Sequence, residues 1–241
     1  MEEARAYEEL RVGFTAAVSH ELRTPLARLL ALLETAALPG ADRDDLLAQA
    51  REQVEQMTEL VNDVLFLSEL ESGREVVSLG GTNALPVLQE VQARLADSAE
   101  RADVEIRIEA EPDVELPLRR RMLQTVVENL AQNSIRYAGP GSTLTLAAHP
   151  GVLEVSDDGR GVEEDELPRL FERFYRSDRA RASRGTGLGL AIVKHVVVSA
   201  GGEVEASGGP GRGLHVVCSF PAPSRPSSIR SESGGASSAR P

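Results

Sequence analysis

Residues 14–36 read FTAAVSHELRTPLARLLALLETA. Val18, Leu22, Pro25, Leu29, Leu32 and Ala36 recur at steps of four and three, the apolar spacing of a packed helix. His20 lies two residues from both Val18 and Leu22, so at ~100° per residue it points away from their face. A core histidine would sit on that face. Thr24 follows one turn later on the histidine's side of the helix. Pro25 cannot donate to the carbonyl of Glu21, so the helix is expected to kink or loosen just below the histidine. With Thr24 where a second histidine would stand, the helical zinc-protease pattern is absent. An exposed imidazole beside a carboxylate suits phosphoryl acceptance. The neutral nitrogen attacks, while Glu21 holds the other N–H and fixes the tautomer.

Working outward, Leu38-Pro-Gly-Ala41 breaks the helix and Asp42 is placed to cap a second one. That helix carries the stripe Leu47, Ala50, Val54, Met57, Val61 and Val64. Further apolar positions (Phe14, Leu26, Leu30, Leu33, Leu60 and Leu65) exceed what one partner helix can cover. Pairing two hairpins into a four-helix bundle would bury them, which predicts a homodimer. The alternative is that the hairpin packs on the rest of its own chain.

Ser72-Gly73 reads as a hinge, after which strands and helices alternate. Strands are expected at Glu75–Leu79, Val104–Ala110, Thr143–Ala148, Val152–Ser156, Glu203–Ser207 and Leu214–Phe220. Helices are expected at Thr82–Arg101, with Thr82 or Asn83 as cap, at Arg119–Tyr137 and at Gly187–Ala200, stopped by Gly201-Gly202. The fold class is α+β: a two-helix hairpin over 1–72, then a two-layer α/β sandwich over 73–220. Residues 221–241 are rich in Ser, Pro, Gly and Arg and are expected to be disordered.

The 241 residues suffice for one large or two modest domains. A formal charge of −12 and 3% aromatics argue against a general nucleic-acid binder and against base-stacking platforms. One cysteine, Cys218, excludes an intramolecular disulfide framework or a cysteine metal cluster. No apolar run approaches the ~20 residues of a membrane span, and the N-terminus lacks a signal peptide's apolar centre. The segment is therefore expected to be soluble.

Phe14–Pro25 resembles the H-box of the sensor histidine kinases of bacterial two-component systems. The resemblance implies that His20 takes the γ-phosphate of ATP and passes it to an aspartate of a response regulator. Glu21 would assist transfer, and Thr24 would orient the water that dephosphorylates the regulator. The second half carries further boxes of the same family. In Glu128-Asn129-Leu-Ala-Gln-Asn133-Ser-Ile-Arg136-Tyr137, Asn129, Asn133 and Tyr137 recur every four residues and share a helix face. An amide oxygen is a neutral hard ligand suited to Mg²⁺ on phosphates. This stretch resembles the N-box, which implies metal binding at Asn133, a phosphate contact at Arg136 and packing of Tyr137 near adenine.

Asp157-Asp-Gly159-Arg-Gly161 matches the family's Asp-x-Gly-x-Gly pattern. A carboxylate there accepts the adenine amino group's hydrogen bond, a role given to Asp157, and the glycines let backbone approach the base. Leu170–Tyr175 resembles the F-box, with Phe171 and Phe174 anchoring one end of a lid. The lid runs to Gly185-Thr186-Gly187-Leu188-Gly189, where glycines at a helix start expose N–H groups to phosphate. That run lacks the Gly-Lys-Ser/Thr of a P-loop and the preceding strand of a Rossmann fingerprint. Arg184 departs from the family, whose members often carry glycine there.

The resemblance covers about residues 5–220 and implies the sandwich fold shared with gyrase-type ATPases and Hsp90 chaperones. Its implied cofactors are ATP and Mg²⁺. Implied partners are a second copy of the chain, a response-regulator receiver domain and an upstream sensor, with no nucleic acid. A cytoplasmic location is expected, with any tether to the inner membrane in a region preceding the segment; alternatively Met1 is the native start and the signal arrives through a partner.

Two competing functions are weighed against the kinase. An ATP-hydrolysing machine of this fold would need a glutamate four residues before the metal asparagine. Asn129 stands there, and Glu128 is rotated ~100° away. A dimeric adaptor with a vestigial ATP site would be expected to have lost one of the boxes. The charge also divides: residues 1–72 carry −9 of the −12, while Arg169–Arg184 carries +4. The hairpin is thus the acidic part, where the regulator is expected to dock, and lid arginines Arg179, Arg181 or Arg184 are expected to contact phosphates.

Overall fold

The computed structural model describes residues 2–72 (side chains from Phe14), 80–177 and 185–221. Helix α1 (Glu2–Ala36) runs through Pro25 without interruption. The missing proline N–H removes a hydrogen bond and leaves the helix continuous. Helix α2 (Arg43–Glu71) starts at Asp42, whose Oδ1 accepts from the Asp45 N–H at 3.3 Å, satisfying one of the orphan donors of the first turn.

On α1 the expected stripe is the packed one. Val18, Leu22, Pro25, Leu29, Leu32 and Ala36 are all half-buried, whereas Leu26, Leu30 and Leu33 are exposed. His20 is off the stripe and its side chain is 74% exposed. On α2 the expected stripe needs correction. Leu47, Val54 and Val61 are exposed, and the buried residues are Ala50, Gln53, Leu60, Leu67 and Leu70. The helix is apolar on two faces, and periodicity alone cannot say which one meets a partner. Leu60, Leu67 and Leu70 join the core of the second half of the chain, so the hairpin does pack on its own chain. The leucines of the other face stay uncovered.

Beyond residue 80, β1 (Thr82–Asn83) pairs antiparallel with β3 (Glu115–Leu116), a two-residue ladder too short to signal itself in the sequence. Asn83 caps α3 (Ala84–Ala102), its side chain accepting from the Leu85 N–H at 3.1 Å. Strand β2 (Val104–Ala110) follows, then α4 (Arg120–Tyr137), β4 (Ser142–His149) and β5 (Val152–Asp157). A short 3-10 turn precedes α5 (Gly189–Ser199), and β6 (Glu203–Gly208) and β7 (Leu214–Ser219) are the last elements among the described residues.

The sheet order is β2-β4-β5-β7-β6. β2 and β4 are parallel, as the α4 crossover between them requires, and the other pairs are antiparallel. Helices α3, α4 and α5 lie against the sheet. Val87, Leu88 and Val91 of α3, Met122, Leu123 and Val126 of α4, and Ile192, Val193 and Val196 of α5 share one core with Leu144, Leu146, Leu153 and Val155. This is the two-layer sandwich expected. Cys218 is part of it, and burial pushes its thiol up to about 12, so it packs as an inert apolar group.

The expected strand Glu75–Leu79, the arginines Arg179, Arg181 and Arg184, and the expected disordered tail after Pro221 lie outside the described residues. Among the described residues no helix is long and apolar enough to cross a membrane. Leu146 is fully buried in the central strand pair. Leu146→Ala should lower the unfolding free energy by about 2–5 kcal/mol, read as a shifted denaturant midpoint with an unchanged slope.

Candidate functional site

Helix α4 turns one face to the sheet, burying Met122, Leu123, Val126, Val127, Leu130 and Ala131. Its other face carries Asn129, Asn133, Arg136 and Tyr137, and all four line a cavity of about 280 Å³. The opposite wall comes from the end of β5 and the chain after it, with Asp157, Gly161 and Val162. Ser134 ties the walls together: its Oγ donates to Asp157 Oδ2 at 2.9 Å. The other carboxylate oxygen accepts from the N–H of Gly159 at 3.1 Å and of Leu214 at 3.4 Å. Burial pushes the Asp157 pKa up, while these three donors pull against it.

The Asp-x-Gly-x-Gly turn leaves no room for side chains. Gly161 has φ +65, and a Cβ there would collide with the carbonyl oxygens of Gly209 and Gly213. Gly159 packs on the Ala138 backbone and does not itself line the cavity. Asp158, in the variable position of the pattern, instead accepts from the Thr143 N–H at 2.6 Å and secures the start of β4.

The glycine run closes a third side. Gly185, Thr186, Gly187 and Gly189 line the cavity; Leu188 is fully buried beneath it. Thr186 Oγ1 accepts from the Leu188 N–H at 3.2 Å, so Leu188 anchors the turn from below. Gly187 has φ +70, and a Cβ there would meet the Phe174 backbone at 2.9 Å. The Phe174 N–H also donates to the Gly187 carbonyl at 2.8 Å. This bond ties Phe174 to the glycine run. Phe171 packs half-buried on the same core.

Four acidic side chains line the cavity without having been expected: Glu59 and Asp63 of α2, and Glu163 and Glu166. Asp63 Oδ2 accepts from Thr186 Oγ1 at 2.7 Å, and Glu59 Oε1 stands 3.8 Å from Arg136 Nη2. Burial pushes the Asp63 carboxyl up to about 6, against the lowering effect of the Thr186 hydrogen bond. No local pattern in α2 marks these two residues; only the docking of the hairpin brings them to the cavity.

His20, Glu21 and Thr24 are not in the cavity lining. His20 Nδ1 lies 3.5 Å from Glu21 Oε1, beside the carboxylate, and the His20 side chain is largely exposed. Glu128 also stays out of the cavity. It pairs with Arg94 of α3, so it is engaged as a structural acid.

The chemistry of the lining fits a magnesium nucleotide. Neutral amide oxygens of Asn129 and Asn133, the Arg136 guanidinium, the Tyr137 ring and the half-buried Asp157 carboxylate converge on one space. The glycines bring bare backbone to its edge, where a Cβ would obstruct. A side-chain carboxyl titration by NMR should place Asp63 at about 6, with the raised pKa meaning that docking is favoured by protonation and weakens as pH rises through that value. A value near the ordinary 3.8 would contradict the docked position of α2.

Comparison with known proteins agrees with this geometry. Residues 10–73 match the His kinase A (phospho-acceptor) domain, and residues 118–224 match the histidine kinase-, DNA gyrase B- and HSP90-like ATPase family. The phosphate regulon sensor protein PhoR of Pseudomonas aeruginosa is 36% identical over 227 residues, covering 88% of this chain and 50% of the relative. The sensor-like histidine kinase SenX3 of Mycobacterium bovis is 32% identical over 225 residues, covering 89% of this chain and 55% of the relative. The chain thus spans about half the length of these curated relatives. Histidine kinase ThkA, solved in complex with the response regulator protein TrrA, has the same fold at 20% identity, with a TM-score of 0.70 over 91% of this chain and 65% of that one. With a phospho-acceptor domain followed by an ATPase domain of this type, the chain belongs to the sensor histidine kinases of bacterial two-component systems.

Proposed function

We propose that residues 1–72 form the dimerisation and phosphotransfer hairpin, residues 73–220 the ATP-binding catalytic domain and residues 221–241 a tail. In this reading the chain transfers the γ-phosphoryl group of ATP to His20 and then to an aspartate of a response regulator. The observation that carries it is the pairing of two features in one chain. One is a cavity in which the Asn133, Asp157 and glycine-run motifs meet. The other is an exposed imidazole set beside a carboxylate.

Each side chain then has a task its chemistry supports. Asp157 accepts the adenine amino hydrogen, Tyr137 packs near the base and Arg136 contacts phosphate. The Asn133 amide oxygen holds Mg²⁺, Asn129 lines the same wall, and the backbone of Gly185–Gly189 faces the phosphates. Bound Mg²⁺ would supply charge neutralisation on the phosphate chain. Glu21 orients the imidazole through Nδ1, so the Nε2 lone pair forms the new bond to phosphorus as the bond to the ADP oxygen breaks. The regulator's carboxylate oxygen later displaces the imidazole. Thr24, one turn below, positions the water for regulator dephosphorylation. A cytoplasmic site of action fits the ATP requirement, and an upstream sensor supplies the signal.

A homodimer is supported by the uncovered leucines of the hairpin. Leu30 is 58% and Leu65 57% exposed, and Leu26, Leu33, Leu47 and Val54 continue the apolar surface along both helices. A contiguous patch of this kind marks an interface. The hairpin's net acidity, −9 over residues 1–72, forms the surface on which the receiver domain would dock.

His20→Gln should bind ATP as the wild type does and take up no label from γ-labelled ATP; undiminished labelling would remove His20 from its role. Leu30→Asp combined with Leu33→Asp should convert a dimer to a monomer by light scattering while nucleotide binding persists. A dimer of unchanged stability would place the interface elsewhere.

A further inference from the structure

The hairpin and the cavity touch through the wrong residues for phosphotransfer. His20 is outside, and two carboxylates of α2 are inside. Glu59 and Asp63 are one helical turn apart and share a face. Glu59 Oε1 stands 3.8 Å from the Arg136 guanidinium, assigned above to phosphate, and Asp63 accepts from the hydroxyl of Thr186, in the run whose backbone is assigned above to the phosphates. A carboxylate placed among the groups that would face a phosphate is a local anion substitute, and its charge repels an incoming one.

We propose that Glu59 and Asp63 form an autoinhibitory strap that occupies the phosphate end of the nucleotide site while the hairpin is docked. The inference rests on the nucleotide reading of the cavity and adds a regulation to it. Contacts remote from the cavity hold the docked position. Arg173 pairs with Glu71 at the end of α2, and its guanidinium also lies 5.3 Å from the centre of the Phe14 ring. The Phe14 and Phe174 rings are 5.6 Å apart, and Arg121 lies 5.6 Å from the centre of the Phe66 ring. Leu60, Leu67 and Leu70 provide the apolar seam. The strap itself is weakly held, since Asp63 is largely desolvated beside Glu59, a like charge. Nucleotide and docked hairpin therefore compete, and by linkage each weakens the other. A signal that shifts the hairpin would open the site, and a bound nucleotide would free the hairpin to present His20.

The test is calorimetric titration of the full chain with a non-hydrolysable β,γ-imido ATP and Mg²⁺. Glu59→Ala with Asp63→Ala should tighten the dissociation constant at least five-fold. Glu71→Arg lies outside the cavity and should tighten it at least two-fold by undocking α2, and adding Arg173→Glu should return it toward wild type. Unchanged or weaker binding in the double alanine variant would overturn the strap. Tightening there without any in Glu71→Arg would reduce the effect to local charge and overturn the coupling to docking. Lack of binding by the wild type and every variant would overturn the nucleotide reading itself, and the strap with it.

Discussion

The hydrogen bond from Ser134 to Asp157 joins the two halves of the nucleotide site. It runs from the last turn of α4 to the last residue of β5, two elements the fold already presses together through Val126, Leu130 and Val155. One carboxylate oxygen is committed to α4, and the other to the turn after β5 and the start of β7. Three elements are therefore registered on a single carboxylate. Its burial disfavours the charge and its donors oppose that effect in part, and they hold an acceptor of fixed direction at the cavity wall. Asn129, Asn133 and Tyr137 inherit their positions from α4, and Gly161 inherits its approach from the turn.

The second organising contact is the seam between α2 and the sandwich. It explains why one chain carries two apolar faces on the same helix. Leu60, Leu67 and Leu70 serve the intramolecular seam, and Leu47, Val54, Val61 and Leu65 remain exposed. The same seam sets Glu59 and Asp63 against Arg136 and Thr186. In the proposed reading, domain docking, its release and dimerisation use different faces of a single hairpin, so a change in one would be transmitted to another without unfolding either helix.

Much of this was legible in the residues, for reasons that are local. The α1 stripe and the off-stripe His20 follow from helical geometry, and Val104–Ala110 follows from strict alternation with charged residues. The caps at Asp42 and Asn83 are short-range side-chain chemistry. The illegible parts are tertiary. The buried face of α2 depended on which partner met it, and both faces are apolar. Strands β1 and β3 are two residues each, below any period a sequence can show. Nothing local marks Glu59 and Asp63, since only docking against the glycine run and α4 gives them these partners. Gly159 and Leu188, expected beside ligand, lie behind the wall they support.

The chain holds four histidines: His20, His149, His195 and His215. His215 is already paired with Glu154 on the sheet, at 3.1 Å. The most direct measurement is mass-spectrometric mapping of the phosphoryl group after incubating the wild-type chain with ATP and Mg²⁺. A single alkali-stable, acid-labile phosphate on His20 is the result this account requires. Phosphate on any other histidine, or ATP turnover with His20 unmodified throughout, would contradict it.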